Sequence, residues 1–253
     1  MKRPLLLTLL LLFCTLAGVA RTIYVVSVGI CDYQYIRNLQ KAENDATAVS
    51  ALYLTHTPHV TTLLGADATH DRILSTLRAV FSQAGEDDTV VFFFSGHGSR
   101  GGLCAHDTKK THALLTYREV QQVMRQCRAG NKQLFIDACF SGGLRNHKSS
   151  AQAATDQQPL ADTEGIMLFL SSRTGETSQE NPWADNGFFT QYLIKGLKGA
   201  ADANADRIIT AKEIYTFVAA KVSERTAKKQ NPVMWGKFND QMHLMNWNPQ
   251  KVR

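Results

Sequence analysis

Cys139 and His97 are the two side chains of this sequence whose types and settings best suit covalent chemistry. Cys139 stands in Asp137-Ala138-Cys139-Phe140-Ser141-Gly142-Gly143, and His97 in Ser95-Gly96-His97-Gly98. A lone cysteine is usually buried packing, and a lone histidine is usually only hydrogen-bonded, so neither residue by itself implies a site. Their surroundings do. Glycines flank His97 on both sides and follow Cys139 closely, which leaves both backbones open to an approaching ligand. Asp137 lies two residues before Cys139 and shares its face by strand alternation; a carboxylate at the end of a sheet calls for a role. A thiolate attacks where a thiol does not, and an adjacent imidazole can take its proton.

Such a pair needs two neighbouring strands that end alike. Residues 90–94 and 134–136 are short, continuous apolar runs rich in aromatic and β-branched residues, each followed by a glycine turn. That pattern predicts strands buried on both faces of a parallel sheet, with loops at their carboxyl ends, where open α/β sheets place their reactive groups. Further strands are expected at 23–29, 59–64 and 166–170, and a last one after Gln230-Asn231-Pro232. Helices are expected at 43–54, with Ala46, Val49, Leu52 and Tyr53 on one face, and at 69–84, with Ile73, Leu77, Val80 and Phe81 as the buried stripe. Others fall at 116–127, 188–197 and 210–224. Strands alternating with helices imply right-handed crossovers and a mostly parallel sheet. No internal repeat and no linker to a second domain interrupts residues 21–253.

The two blocks, taken together, resemble the histidine and cysteine blocks of the caspase-like cysteine peptidases (clan CD, family C14). They are closest to metacaspases and their bacterial relatives, whose cysteine block reads Asp-x-Cys-x-Ser-Gly. Caspases carry glutamine two residues before the cysteine; this chain has Asp137 there. The resemblance runs from about Thr22 to about Met245. It implies a three-layer α-β-α sandwich of the caspase-hemoglobinase type with a mostly parallel six-stranded sheet. It also implies a Cys139–His97 dyad whose imidazole is held by backbone, and an oxyanion hole made by the N–H groups of Gly98 and Cys139. Metacaspases prefer arginine or lysine before the cut. Their acidic pocket maps onto Asp45, Ser95 and Asp137, although Asp45 near a helix start also suits a cap. By the same resemblance, residues 21–144 correspond to a large subunit, 145–164 to a linker and 165–248 to a small subunit. Arg145 and Lys148 in the linker would then match the enzyme's own specificity as self-processing sites.

Met1-Lys2-Arg3, a mostly apolar run through Leu16 and Ala17-Gly18-Val19-Ala20 read as a secretory signal peptide cleaved after Ala20. The mature chain would be periplasmic or extracellular, with no later run long enough to span a membrane. The formal charge of +6 becomes +4 once Lys2 and Arg3 leave (6 − 2). The remaining basic residues are scattered, and a nucleic-acid footprint would need a concentrated stripe. With Cys139 as nucleophile, Cys31, Cys104 and Cys127 can form at most one disulfide, and Cys31 and Cys104, each expected after a strand, are the candidates. Cys104, His106, His112 and Cys127 fit no common zinc spacing. Asp202, Asn204, Asp206 and Glu213 match a calcium-binding EF-hand loop at positions 1, 3, 5 and 12, but position 6 is Arg207 instead of glycine. The other reading is a polar turn closed by a Thr210–Glu213 capping box. The dyad requires no cofactor, and calcium is the single candidate.

The expectation is therefore an exported cysteine endopeptidase acting on peptides or proteins with a basic residue before the cut. Two alternatives remain: a related peptidase with another preference such as asparagine, and a catalytically silent caspase-like binding module. Oligomeric state is left open.

Overall fold

The strands that end at the two blocks lie side by side at the centre of the sheet. The computed structural model describes residues 21–99, 101–109, 112–139, 165–173 and 185–247. In chain order the elements are β1 (Ile23–Gly29), α1 (Ala42–Leu54), β2 (Val60–Leu64), α2 (His70–Phe81), β3 (Thr89–Ser99), β4 (Gly102–Lys109), β5 (His112–Thr116) and α3 (Tyr117–Gln126). There follow β6 (Asn131–Cys139), β7 (Ile166–Leu170), α4 (Phe188–Lys195), β8 (Ile208–Thr210), α5 (Ala211–Arg225), β9 (Val233–Trp235) and β10 (His243–Asn246). The sheet runs β2-β1-β3-β6-β7-β9 and is parallel except for β9, which pairs antiparallel with β7.

Alternation along the apolar runs divides the core between the two faces of this sheet. Val90, Phe92, Phe94, Leu134 and Ile136 pack with Ile73, Leu77, Val120 and Met124 of α2 and α3. Val91, Phe93, Phe135 and Phe169 pack on the other side with Val49 of α1, Phe189 of α4 and Ile214 and Val218 of α5. All four central phenylalanines (92, 93, 94 and 135) are fully buried, and each stabilises the fold by roughly 2–3 kcal/mol. This is the caspase-hemoglobinase sandwich, with helices on both faces.

Gly29 ends β1, and a Cβ there would collide with the Ala42 carbonyl and stand 2.7 Å from the Ala46 Cβ. Its bare backbone lets the start of α1 settle against the end of the sheet, which brings Asp45 toward β3. Helix α2 is capped by Thr69, whose side chain accepts from the Arg72 N–H, and α3 opens on a Thr116–Glu119 capping box.

Several details differ from the sequence expectations. Strands β4 (Gly102–Lys109) and β5 (His112–Thr116) pair antiparallel, and β4 adds to the carboxyl end of β3. Cys104 therefore lies inside a strand and not after one. The helix expected to reach residue 197 ends at Lys195 and runs into a wider turn over Gly196–Ala200. Ile208–Thr210 pairs antiparallel with the carboxy-terminal strand β10.

Candidate active site

Strand β3 pairs with β6 through nine consecutive residues, the last three being Ser95 with Asp137, Gly96 with Ala138 and His97 with Cys139. Adjacent strands lie roughly 4.8 Å apart, so the backbones at 97 and 139 are immediate neighbours at the carboxyl end of the sheet. At Gly98 β3 also pairs with β4, Gly98 lying opposite Leu103. Position 98 thus directly follows the last described β3–β6 pair, next to both blocks.

His97 is 8 % exposed. Its Nε2 lies 2.7 Å from the carbonyl oxygen of Arg37. A carbonyl only accepts, so Nε2 carries the proton and the neutral ring keeps its lone pair on Nδ1. The ring packs against Tyr33 with centroids 4.9 Å apart and planes tilted by 46°. The His97 N–H donates to the Tyr33 hydroxyl at 2.8 Å.

Asp45, Ser95 and Asp137 are all buried, the two carboxylates at 2 % and 7 % exposure. The Ser95 hydroxyl donates to Asp45 Oδ2 at 2.9 Å. Asp45 Oδ1 accepts from Asn186 Nδ2 at 2.9 Å and from the Gly187 N–H at 3.0 Å. The Thr190 hydroxyl donates to Asp137 Oδ2 at 2.9 Å. Burial pushes the Asp45 carboxyl up to about 8, and the nearby Asp137 charge pushes the same way. The hydrogen bonds from Asn186, Ser95 and Gly187 pull it back without cancelling the rise. Two carboxylates held together in a low-dielectric slot create a strong demand for a cation. The α1 cap reading of Asp45 does not hold: Lys41 occupies the cap position and makes no side-chain cap bond, and the Glu43 N–H of the first turn donates to Cys31 Sγ.

Asn186, Gly187 and Thr190 are not among the site residues expected from the sequence. They enter at the start of α4, some 140 residues from Asp45, and a donor to a buried carboxylate has no motif of its own. Arg37 acts through its main chain, which no residue type signals. Arg145, Lys148 and residues 1–20, where a signal peptide is expected, lie outside the described residues.

Compared with known proteins, the chain matches the family model of the caspase domain, peptidase C14, over residues 24–243. The chain belongs to the caspase family. Its backbone also matches the crystal structure of protein GSU0716 from Geobacter sulfurreducens with a TM-score of 0.64 at 16 % identity, covering 92 % of this chain and 97 % of that one. At that identity the likeness speaks to the fold. No curated protein matches the chain significantly.

The other cysteines and the 202–213 turn of this caspase-family chain have contacts of their own. Cys31, Cys104 and Cys127 are free thiols, so the Cys31–Cys104 pairing is not formed. Burial pushes the Cys104 thiol up to about 12, and the Cys127 thiol donates to the Phe81 carbonyl at 3.4 Å. In the 202–213 turn, Asp202 Oδ2 accepts from the Arg207 N–H and from Trp247 Nε1, and Asp206 Oδ1 accepts from the Ile208 N–H. Asn204 donates to Asp206, and Glu213 closes a capping box with Thr210. Ala205 and Arg207 take the left-handed backbone, with φ of 61° and 67°. Among the described residues no three or more His, Cys, Asp or Glu side chains converge to hold a metal ion. No helix among them is long and apolar enough to cross a membrane.

Proposed function

We propose that this protein is an exported cysteine endopeptidase that cleaves after arginine or lysine. Membership of the caspase family supports a cysteine-type peptidase. The observation that carries the basic preference is the buried Asp45–Ser95–Asp137 slot, which adjoins the His97–Cys139 register. A guanidinium or ammonium group entering it meets two carboxylates already fixed by neutral donors.

In this reading His97 Nδ1 takes the Cys139 proton, and the sulfur attacks the carbonyl carbon of the bond to be cut. The developing oxyanion is stabilised by the N–H groups of Gly98 and Cys139. The imidazolium returns its proton to the leaving amine, giving a thioester. Water, deprotonated by Nδ1, then hydrolyses the thioester and regenerates the thiol. The Arg37 carbonyl holds Nε2 throughout and favours the imidazolium that forms.

The test is labelling with a peptidyl acyloxymethyl ketone carrying arginine at the reactive end. One equivalent should attach to the wild type and none to Cys139→Ala. A peptide panel cut only after Asp or Asn would refute the basic preference. Wild-type protein that neither labels nor cleaves would refute the peptidase reading and favour the silent binding module.

A further inference from the structure

The loop after β1 builds a seat for the His97 ring, and its central residue is Tyr33. Leu39 N–H bonds back to the Cys31 carbonyl at 2.9 Å and closes the loop. Inside it, Asn38 Oδ1 accepts from the Tyr33 N–H at 2.9 Å while Asn38 Nδ2 donates to Asp32 at 2.9 Å. The β4 strand braces it from outside. His106 Nδ1 donates to the Asp32 carbonyl at 2.7 Å, and the Gln34 N–H donates to the His106 carbonyl at 3.0 Å.

This braced loop touches His97 three times. The Arg37 carbonyl fixes Nε2, the Tyr33 ring lies against the imidazole, and the Tyr33 hydroxyl takes the His97 N–H. Tyr33 is itself 7 % exposed. Gly96 is shaped to it: a Cβ at that position would stand 2.5 Å from the Tyr33 oxygen. The glycine before the histidine therefore makes room for the tyrosine, not only for a ligand.

We propose that Tyr33 is a positioning residue for His97, holding the ring plane and the Nε2–Arg37 contact so that Nδ1 stays aimed at position 139. This rests on the peptidase reading, with His97 as base. Tyr33 touches neither substrate nor the reacting atoms in this role; it acts through the imidazole. A loosened ring costs turnover and leaves ground-state binding in the Asp45–Asp137 slot unchanged, because Asp45 is held by Ser95, Asn186 and Gly187 and Asp137 by Thr190, whereas Tyr33 acts on the imidazole.

The experiment compares Tyr33→Phe and Tyr33→Leu with wild type on a fluorogenic peptide amide carrying arginine before the cut. Tyr33→Phe keeps the ring and drops the hydroxyl; kcat should fall about tenfold with KM within about twofold. Tyr33→Leu removes the ring as well, and kcat should fall about a hundredfold, the scale of a misplacement near 1 Å. In parallel, ¹⁵N spectra of the His97 ring in the Cys139→Ala background should show the Nε2–H tautomer, and adding Tyr33→Phe should yield a mixture of tautomers. Folded variants with unchanged kcat and an unchanged tautomer would overturn the proposal. If Tyr33→Leu does not fold, Tyr33→Phe alone decides. If the wild type does not cleave at all, the peptidase reading falls, and the ring spectra still decide whether Tyr33 seats the histidine.

Discussion

Replacing Asp45 with asparagine should stabilise the free protein while removing its activity on basic substrates. The Asp45 carboxyl, ordinarily near 3.8, is raised to about 8 by burial and by Asp137. A group raised on folding binds its proton more tightly in the folded state. Its stabilising contribution is therefore complete below about pH 4 and lost as pH rises toward about 8. Asparagine carries no charge and so removes part of the cost of burying one. Its Oδ1 keeps the bonds from Asn186 and Gly187, and its Nδ2 can donate to the Ser95 oxygen, but charge-assisted bonds become neutral ones. The net expectation is about 1–3 kcal/mol at pH 8–9, or roughly 3–10 °C in Tm for a chain of this size. The advantage should vanish near pH 4. Thermal unfolding of wild type and Asp45→Asn from pH 4 to 9, beside kcat/KM on an arginine substrate, is the assay. An Asp45→Asn protein less stable than wild type at pH 8 would show that the donors outweigh burial and would refute this account of the slot.

Three further outcomes follow from particular contacts. Thr190→Val removes the hydroxyl on Asp137 Oδ2 and should raise KM for arginine substrates more than it lowers kcat; an unchanged KM would mean that the bond has no part in substrate binding. At His70, burial alone would lower the imidazole, but bonds to Asp71 and Glu119 and their charges raise it above 6.5. The stability it lends is present below about pH 6.5 and lost as pH rises through the raised value; His70→Gln should therefore lower Tm at pH 5.5 and matter less at pH 9, and an equal loss at both would refute the ion-pair origin. Glu213→Gln weakens the Thr210 capping box and should cost about 1 kcal/mol in chelator; a calcium-dependent rise in Tm that Asp202→Ala abolishes would instead make the turn a cation site.

What could be read from the sequence follows the range of the interactions. The His97 and Cys139 blocks are contiguous, and their apolar runs, buried on both faces, announce central parallel strands. Asp45 and Ser95 were placed by motif position, and the fold sets them 2.9 Å apart. The antiparallel pair of β4 and β5 escaped because residues 102–109 do not alternate cleanly, and its register shifts between Cys104 and Lys109. The Tyr33 seat escaped because it is made by a loop, a carbonyl and a ring, none of which has a period. Asn186 and Thr190 escaped because a neutral donor to a carboxylate is chosen by tertiary position alone.

The position of those donors bears on what a cut at Arg145 or Lys148 would do. Asp45 and Asp137 come from the part of the chain before residue 140, and Asn186, Gly187 and Thr190 come from the part after 164. The two parts are also joined within the sheet, β6 to β7 over the five pairs from Lys132–Ile166 to Ile136–Leu170. Asn131 Nδ2 bonds to the His243 carbonyl across the same boundary, and Phe135 packs on Phe169 with centroids 6.4 Å apart. These contacts form a continuous core face with Phe189 and Val218, so a single nick should not release either part. Nicked protein should show two bands on denaturing gels and one species of unchanged size by gel filtration. Its arginine activity should also be retained, because every pocket contact that crosses the boundary is non-covalent. If the nick comes from the protein's own activity, Cys139→Ala should remain one chain. Fragments that separate without denaturant would show that the covalent connection, and not the β6–β7 seam, holds the slot together.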